Sequence, residues 1–422
     1  MTYEPTPAFA RRLDEADPLH AFRERFALPH DGRGAALVYL CGHSLGLMPR
    51  AARALVLEEL EDWAHLGVLG HEHARRPWIP YHENLRGGLA SLAGARPGEV
   101  VAMSSLTVNL HLLLAAFYRP DGARRRILIE AGAFSSDRHA VASQIAWHGL
   151  DPAEALVELT SAAGADTIAE EAIEAYLEEH GAHVALVLWP GVQFRTGQAF
   201  DLGRIVRAAK RAGCVAGVDL AHSIGNMPLA LHDIGADFAV WCSYKYLNAG
   251  PGAIGGCFVH ERHDPPHLAG WWGHEPATRF RMEPQFRAAP GAAGWQISNP
   301  PILSAAPLIA SLELFEQAGL GRLRQKSVAL TGYLEYLLDR LAPEVELITP
   351  RAAEARGCQL SVRIVGPAGR GQRVFDALTA RGVIGDWRDP DVIRLAPIPL
   401  YNTFAEVLRG AEALAEALRS QP

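Results

Sequence analysis

The sequence predicts an α/β protein with a mostly parallel central sheet covered by helices on both faces, followed by a smaller α+β domain. Between about residues 95 and 260, short apolar runs alternate with amphipathic stretches, the pattern of βαβ units. The apolar runs are nearly continuous, as expected for strands buried on both faces of a parallel sheet. Hydrophobic residues make up 49% of the 422, which is enough for a sizeable core.

The predicted elements follow in chain order. The first thirty residues predict a short helical arm, and Ala51–Leu66 has helical spacing. Six apolar runs are predicted strands: Val100–Met103, Ile127–Glu130, Val184–Trp189, Val215–Asp219, Phe238–Cys242 and Gly255–His260. Four amphipathic runs are predicted helices: Val108–Tyr118, Ser136–Trp147, Thr167–His180 and Leu202–Arg211. Prolines and glycines cluster over 264–301, which predicts long loops.

The C-terminal part has its own pattern. Helical periodicity runs from Leu303 to about Leu341. The elements predicted after it are strands Cys358–Val365 and Ile393–Ala396 and helices Gln372–Arg381 and Thr403–Arg419. We therefore expect an N-terminal arm over 1–50 that joins the small domain, a large domain over 51–305 and a small domain over 306–422.

Composition excludes several classes of protein. A net charge of -7 argues against a nucleic-acid binder, which would carry a basic patch. No apolar run reaches the ~18 residues of a membrane helix, and the first residues lack the apolar segment of a secretory signal. The five cysteines include no CxxC pair, which argues against a disulfide framework or a structural zinc site. The sequence has no HExxH motif, which also argues against a metal site. We expect a cytoplasmic protein without a metal.

Two residues at strand ends point to chemistry. Asp219 ends a buried strand, where ligands of open α/β sheets bind, although such an aspartate can simply cap the next loop. Lys245 follows the next strand; it is either a desolvated nucleophile or a lysine whose amine reaches solvent. An aspartate and a lysine one crossover apart fit pyridoxal phosphate, whose ring nitrogen pairs with a carboxylate and whose aldehyde forms a Schiff base with lysine.

A cofactor of this kind also needs a phosphate site and a group against its ring. Ser104–Thr107 precedes a predicted helix, whose free N–H groups and dipole suit a phosphate; an ordinary N-cap is the alternative. Phe134 follows another strand and either stacks on the ring or packs in the core. Asp137 either caps a helix or contacts the cofactor.

Ordered sequence blocks give a family resemblance over about residues 37 to 405. The blocks are Arg75-Arg-Pro-Trp78, Ser105-Leu-Thr-Val-Asn-Leu-His111, the pair Asp219 and His222, Cys242-Ser-Tyr-Lys-Tyr-Leu-Asn-Ala-Gly250, Gly270-Trp-Trp-Gly-His274, Ile297-Ser-Asn-Pro-Pro301 and Arg394-Leu-Ala-Pro-Ile-Pro-Leu-Tyr-Asn402. In this set the sequence resembles the kynureninases. The resemblance implies the aspartate-aminotransferase-like fold (type I pyridoxal-phosphate enzymes) and a homodimer. It also implies hydrolysis of L-kynurenine or 3-hydroxy-L-kynurenine to anthranilate or 3-hydroxyanthranilate plus L-alanine, in tryptophan degradation and NAD biosynthesis.

The resemblance also implies site residues. The catalytic ones are Lys245 as the Schiff-base lysine, Asp219 as the partner of the ring nitrogen and Tyr244 for proton transfer. The cofactor-binding ones are Leu106, Thr107, Phe134, Asp137, Asp219, His222, Tyr244 and Lys245, with Trp271 and Asn299 lent by the partner subunit. The substrate-binding ones are Arg394 at the α-carboxylate, and His71, Ser298 and Asn299 near the aromatic ring.

Two positions depart from the family pattern. His43 stands where the family generally has asparagine, which affects contacts on the carboxylate side of the substrate. Pro190 replaces a hydroxyl residue near the cofactor and has no side-chain donor. Neither departure touches Lys245 or Asp219.

Alternative functions remain within and outside this fold. A cysteine desulfurase needs a nucleophilic cysteine; Cys358 lies in the C-terminal part but reads as a buried strand residue. A non-catalytic pyridoxal-phosphate regulator would carry a DNA-binding module, and no basic helix-turn-helix precedes the central region. A dehydrogenase is excluded for want of a GxGxxG motif. The sequence leaves the choice between kynurenine and 3-hydroxykynurenine open.

Overall fold

The structure is a computed structural model that describes residues 3–263 and 268–421. Its strands are β1 Val38–Tyr39, β2 Val100–Ala102, β3 Arg126–Glu130, β4 Leu156–Leu159, β5 Val184–Pro190, β6 Val215–Asp219, β7 Phe238–Trp241, β8 Gly256–Val259, β9 Val345–Leu347, β10 Leu360–Ile364, β11 Val383–Ile384, β12 Asp386–Arg388 and β13 Val392–Leu395. Its helices are α1 Pro7–Glu15, α2 Arg50–Leu66, α3 Gly70–His73, α4 Glu83–Ala93, α5 Leu106–Phe117, α6 Ser135–Trp147, α7 Pro152–Ala155, α8 Glu170–His180, α9 Leu202–Arg211, α10 Leu231–Ile234, α11 Ile302–Ala318, α12 Leu320–Leu341, α13 Arg370–Ala380 and α14 Phe404–Ser420.

The central sheet has seven strands in the order β2-β8-β7-β6-β5-β3-β4. The strands from β7 to β4 are parallel, and β8 runs antiparallel to both of its neighbours. Helices cover both faces: α4, α8, α9 and α11 contribute to one apolar core, and α5 and α6 to the other. The predicted α/β fold with a mostly parallel sheet is therefore confirmed. The edge strand β4 is missing from the prediction because its half-buried residues do not form a continuous apolar run.

The helical stretch predicted from Leu303 to about Leu341 consists of two elements. The structure has two helices there, α11 and α12, separated by Gly319. Gly319 has φ +74°, a conformation that residues with a Cβ rarely adopt. Apolar residues at helical spacing continue on both sides of this break, so the pattern alone did not reveal it.

The loop-rich stretch before α11 matches the expectation. Within the described residues 268–301 there is no α-helix and no strand, only short 3₁₀ turns. Residues 264–267 of the predicted loop region lie outside the described residues.

The C-terminal elements form a smaller antiparallel sheet, in the order β12-β13-β10-β9. Its apolar core includes residues from α12, α13 and α14 together with Phe9 of α1. Strand β1 pairs in parallel with β11, so Val38 lies beside Val383. N-terminal residues thus pack with C-terminal ones, while the boundaries 1–50, 51–305 and 306–422 stay a prediction.

The parallel strands bring several polar residues to one edge of the central sheet. Glu130, Pro190 and Asp219 end β3, β5 and β6, and Lys245 follows β7 by four residues. Because the carboxyl ends of parallel strands meet at one edge, these residues surround a common space. Along the described chain we find no helix with both the length and the apolar character needed to cross a bilayer.

Candidate active site

A cavity lies at the carboxyl ends of β3, β5, β6 and β7. Eight of the predicted site residues line it: Leu106, Thr107, Phe134, Asp137, Asp219, His222, Tyr244 and Lys245. These residues come from four separate parts of the sequence, between positions 106 and 245. The sheet topology therefore assembles most of the predicted cofactor site within one chain.

Lys245 is the amine in this cavity. Its Nζ lies 3.1 Å from Nε2 of His222 and 5.6 Å from the centre of the Phe134 ring. Burial lowers the pKa of His222 well below its usual value, and the charge of Lys245 lowers it further. A neutral His222 can accept a hydrogen bond from Nζ through its unprotonated nitrogen.

Ion pairs distinguish Lys245 from the other two lysines of the sequence. Lys210 pairs with Asp237, and Lys326 lies 2.7 Å from the carboxylate of Asp17. Among the residues that the structure describes, Lys245 makes no salt bridge. Its amine is thus available for a carbonyl group.

Three buried acids line the same cavity as this amine. Asp219, Asp137 and Glu130 are 9%, 7% and 3% exposed, and burial raises the pKa of each. For Asp219 the rise is partly offset by a hydrogen bond from the N–H of Ala221, at 2.8 Å, and by the charge of Lys245. Within 3–263 and 268–421, Oδ1 of Asp137 and Oε2 of Glu130 have no hydrogen-bond partner. Buried acceptors of this kind call for a cation or a donor in the cavity.

Two helices begin at the cavity. Helix α5 starts at Leu106, two residues earlier than predicted, so Leu106 and Thr107 belong to its first turn. Its N-cap residue, Ser105, makes no side-chain cap, which leaves the first N–H groups free of that partner. The hydroxyl of Thr107 lies 2.7 Å from that of Ser136, in the first turn of α6. Paired helix N-termini with hydroxyl groups suit a phosphate.

The residues present therefore fit pyridoxal phosphate. Unpartnered buried carboxylate oxygens suit the ring-nitrogen end, and the helix starts suit the phosphate end. The amine of Lys245, which makes no ion pair with any described residue, lies in the same cavity beside the Phe134 ring. These features come from the described contacts and do not depend on the resemblance.

Arg394 lies behind the cavity wall and does not line the cavity. It is 1% exposed, and its Nη1 donates to the backbone oxygen of Phe194, at 2.6 Å. Phe194 is a wall residue whose ring lies edge-on to Phe134, with centroids 5.3 Å apart. Arg394 thus contacts a residue of the cavity wall but does not border the space that the other predicted residues enclose.

The remaining predicted residues are not brought to this cavity within one chain. His71, Trp271, Ser298 and Asn299 are exposed. The ring of His71 lies 5.4 Å from Trp78, and Trp271 lies 6.0 Å from Phe280. Ser298 donates to Asn299, at 3.1 Å.

The two departures from the family pattern have clear places. Pro190 lines the cavity, so that part of the wall offers no side-chain donor. His43 is fully buried, with its ring centroid 6.3 Å from that of His222. Neither ring nitrogen of His43 has a partner among the described residues.

Sequence reasoning missed several residues of the cavity lining and of the surroundings of Arg394, among them Glu130, Ser136, Phe194 and Asp386. Glu130 could have been predicted from the sequence, because it ends an apolar strand as Asp219 does. Ser136 lies beside Phe134 and Asp137 and could have been included with them. No sequence pattern pointed to Phe194 or Asp386, because only the packing of distant segments places them near the site.

The cysteine that a desulfurase would need is buried. Cys358 is 1% exposed, and burial raises the pKa of its thiol to about 12. A thiol in this state is not a nucleophile at neutral pH.

Comparisons with known proteins decide the family. A family model described as the kynureninase C-terminal domain matches residues 323–414. A kynureninase of Xanthomonas campestris pv. campestris (strain B100) is 56% identical over 411 residues, which cover 96% of this chain and 97% of that protein. A kynureninase of Xanthomonas oryzae pv. oryzae (strain PXO99A) is 57% identical, over 95% of each chain.

The chain belongs to the kynureninase family. Solved structures of other proteins share its fold at low identity. A mutant of C-DES with glycine covalently linked to its PLP cofactor has a TM-score of 0.78 and 20% identity, over 93% of this chain and 99% of that one. The cysteine desulfurase CsdA from Escherichia coli has a TM-score of 0.76 and 18% identity, over 96% and 99%. These likenesses show the pyridoxal-phosphate type I fold alone, whereas the kynureninases match in sequence along almost the whole chain.

Proposed function

We propose that this chain hydrolyses the Cβ–Cγ bond of L-kynurenine, 3-hydroxy-L-kynurenine or both, releasing anthranilate or 3-hydroxyanthranilate and L-alanine. The observation that carries the proposal is the joint placement of Lys245 and Asp219 in one cavity, in a member of the kynureninase family. The reaction belongs to tryptophan degradation and NAD biosynthesis.

The cofactor is pyridoxal phosphate. When bound, it withdraws electrons from the α-carbon of an amino acid, which labilises bonds that are otherwise stable. Lys245 would hold it covalently, Asp219 would pair with its ring nitrogen, and the first turn of α5 would bind its phosphate. Phe134 and His222 would lie against the cofactor, and Asp137 would support Asp219.

Proton transfer falls to groups around Lys245. Its amine, once free, removes the proton from the substrate α-carbon, and neutral His222 at 3.1 Å accepts a hydrogen bond from Nζ. Burial raises the pKa of Tyr244, so its hydroxyl keeps its proton at neutral pH. Water adds to the γ-carbonyl of the substrate. After the Cβ–Cγ bond breaks, the hydroxyl of Tyr244 donates a proton to Cβ.

Arg394 is the proposed site for the substrate α-carboxylate. A guanidinium offers a planar fork that matches a carboxylate. The contact of Arg394 with the wall residue Phe194 supports this role, because it places the fork beside the cavity. His71, Ser298 and Asn299 are assigned to the aromatic ring of the substrate.

We also propose that the protein is a homodimer. Trp271, Phe280 and Met282 are 46%, 52% and 71% exposed, although all three are large and apolar. Large exposed apolar residues mark interaction surfaces. Phe280, whose ring lies 6.0 Å from that of Trp271, lines the same surface pocket as His71, which supports a second copy that receives His71, Trp271 and Asn299 into its own cavity. A cytoplasmic location also remains a proposal, supported by five buried free cysteines.

Two measurements on the purified protein test the function. Added L-kynurenine should give the fluorescence of anthranilate together with equimolar L-alanine. Borohydride reduction followed by peptide mapping should place the cofactor on Lys245, with Lys210 and Lys326 as internal controls in the same digest. Label on either of these two lysines, or no anthranilate from a fully loaded protein, would refute the proposal.

A further inference from the structure

Asp386 is the carboxylate that contacts Arg394. The two residues lie directly opposite each other in the antiparallel pair of β12 and β13. Nε of Arg394 donates to Oδ1 of Asp386 at 3.0 Å, and Nη2 lies 2.7 Å from the same oxygen. One side of the guanidinium is thus held by a residue of the protein itself.

The other side of Arg394 has different contacts. Nη2 donates to the hydroxyl of Ser44 at 3.2 Å, and Nη1 donates to the backbone oxygen of Phe194. Ser44 in turn donates to Oδ2 of Asp386. A guanidinium has five N–H donors, two of them on Nη1. Within the described residues only one N–H of Nη1 has a partner, the backbone oxygen of Phe194, which is a residue of the cavity wall.

Charge explains why Asp386 is needed. A guanidinium that is 1% exposed is unfavourable to bury unless a counter-charge accompanies it. Asp386 also accepts from Arg388, so the three residues together carry a formal charge of about +1. One ligand carboxylate would neutralise this group. His43, within 4.8 Å of Asp386, adds no charge because burial, then Arg394, lowers its pKa.

We propose that Asp386 is a positioning residue: it fixes the guanidinium of Arg394 by its Nε side, so that the Nη1 side receives the substrate α-carboxylate. The proposal rests on the proposed function, in which Arg394 binds that carboxylate. Asp386 itself does not touch the substrate. Its effect is to order the fork before the ligand arrives, which reduces the entropy lost on binding.

The test uses the holoenzyme with two probes, L-kynurenine as substrate and L-alanine as the product that carries the same carboxylate. Asp386→Asn should raise KM and the inhibition constant of alanine together, by about tenfold or more, because a charge-assisted contact to Arg394 is lost. The kcat should change less than about threefold. Asp386→Glu keeps the charge and should restore part of the loss.

Asp391→Asn is the matched control. Asp391 lies between β12 and β13 and pairs with Arg195 and Arg363, so this variant removes an acid of the same small sheet without touching Arg394. We expect its KM and alanine inhibition to stay within about twofold of wild type. Melting temperatures of all variants, measured with cofactor bound, separate loss of folding from loss of binding.

A double-mutant cycle decides between direct and indirect action. Arg394→Lys removes the fork, and adding Asp386→Asn to it should weaken alanine by less than about a further twofold. A further tenfold loss would show that Asp386 acts on its own and would overturn the positioning role. Unchanged or tighter alanine binding in Asp386→Asn, with Arg394→Lys impaired, would also overturn it. If Arg394→Lys leaves alanine inhibition unchanged, the proposed carboxylate contact itself is wrong and the positioning role falls with it.

Discussion

Nζ of Lys245 lies 3.1 Å from Nε2 of His222, inside the cavity at the carboxyl ends of the strands. The contact joins an amine that makes no ion pair within the described residues to an imidazole kept neutral by burial. A carboxylate in place of His222 would fix the lysine as a cation. A neutral imidazole keeps the amine in place without stabilising its charge to the same extent, which suits a lysine that must react as a free amine.

The charge of Asp219 should be essential. Asp219→Asn keeps an oxygen that can accept from the N–H of Ala221, yet it removes the negative charge from the ring-nitrogen end of the cavity. We expect both Asp219→Asn and Asp219→Ala to lose at least about a hundredfold in kcat, measured with saturating cofactor. An Asn variant close to wild type would mean that Asp219 only caps the following turn.

Cys358 should be dispensable for kynurenine hydrolysis. Its thiol is buried, has a pKa raised to about 12, and lies outside every proposed step. Cys358→Ala should therefore cleave L-kynurenine within about twofold of wild type. Sulfide release from L-cysteine is the companion assay: if wild type releases sulfide and this variant does not, the desulfurase alternative is favoured.

Mixed dimers test whether Trp271 serves the partner subunit. Lys245→Ala and Trp271→Ala chains should each be inactive alone. A two-fold dimer of one chain of each kind contains one intact site of two, so activity should recover to about half of wild type per mixed dimer. Two different affinity tags isolate the mixed species. Mixed dimers that stay inactive would place Trp271 in the site of its own chain.

Ring selectivity should depend on His71 and Asn299. Their imidazole and amide groups can satisfy a ring hydroxyl, so we expect 3-hydroxykynurenine to be turned over. A buried polar group left unpaired costs about 1–3 kcal/mol, so a preference should exceed roughly fivefold in kcat/KM. The double variant His71→Phe with Asn299→Thr should shift the ratio of the two kcat/KM values toward kynurenine. A wild type that favours kynurenine by about tenfold, with the ratio unmoved in the double variant, would refute this assignment.

The contribution of Glu130 to the stability of the cofactor-free chain should fall as pH rises. Burial, then the charge of Asp219, raises the pKa of Glu130 well above its usual value. In the folded chain Glu130 thus keeps a proton that it releases in the unfolded chain above about pH 4.3. As pH rises from about 4.3 to the pKa of Glu130 in the folded chain, the free energy of unfolding therefore decreases. The slope from this one group is at most about 1.4 kcal/mol per pH unit.

Glu130→Gln should make this pH dependence shallower. Denaturant unfolding between pH 5 and 8 measures it, and Glu313→Gln, which changes an exposed glutamate on α11, is the matched control. Equal slopes for wild type and Glu130→Gln would show that Glu130 is ionised in the folded chain.

Local sequence determined the central sheet and the two strand-end groups of the site. Buried parallel strands need continuous apolar runs, and a polar residue at the end of such a run falls at the ligand-binding edge. This is why Asp219 and Lys245 could be found without a structure. The ordered family blocks then indicated further cavity residues, including Leu106 and His222.

Only the tertiary structure decided what faces these residues. Glu130 came into the site because β3 lies two strands from β6, and Asp386 came to Arg394 through the pairing of β12 with β13. Gly319 broke a helix whose apolar periodicity continued across it. Periodicity reports which side of an element is buried, because burial follows the local repeat. It carries no information about which distant side chain lies opposite, because that depends on how the elements pack.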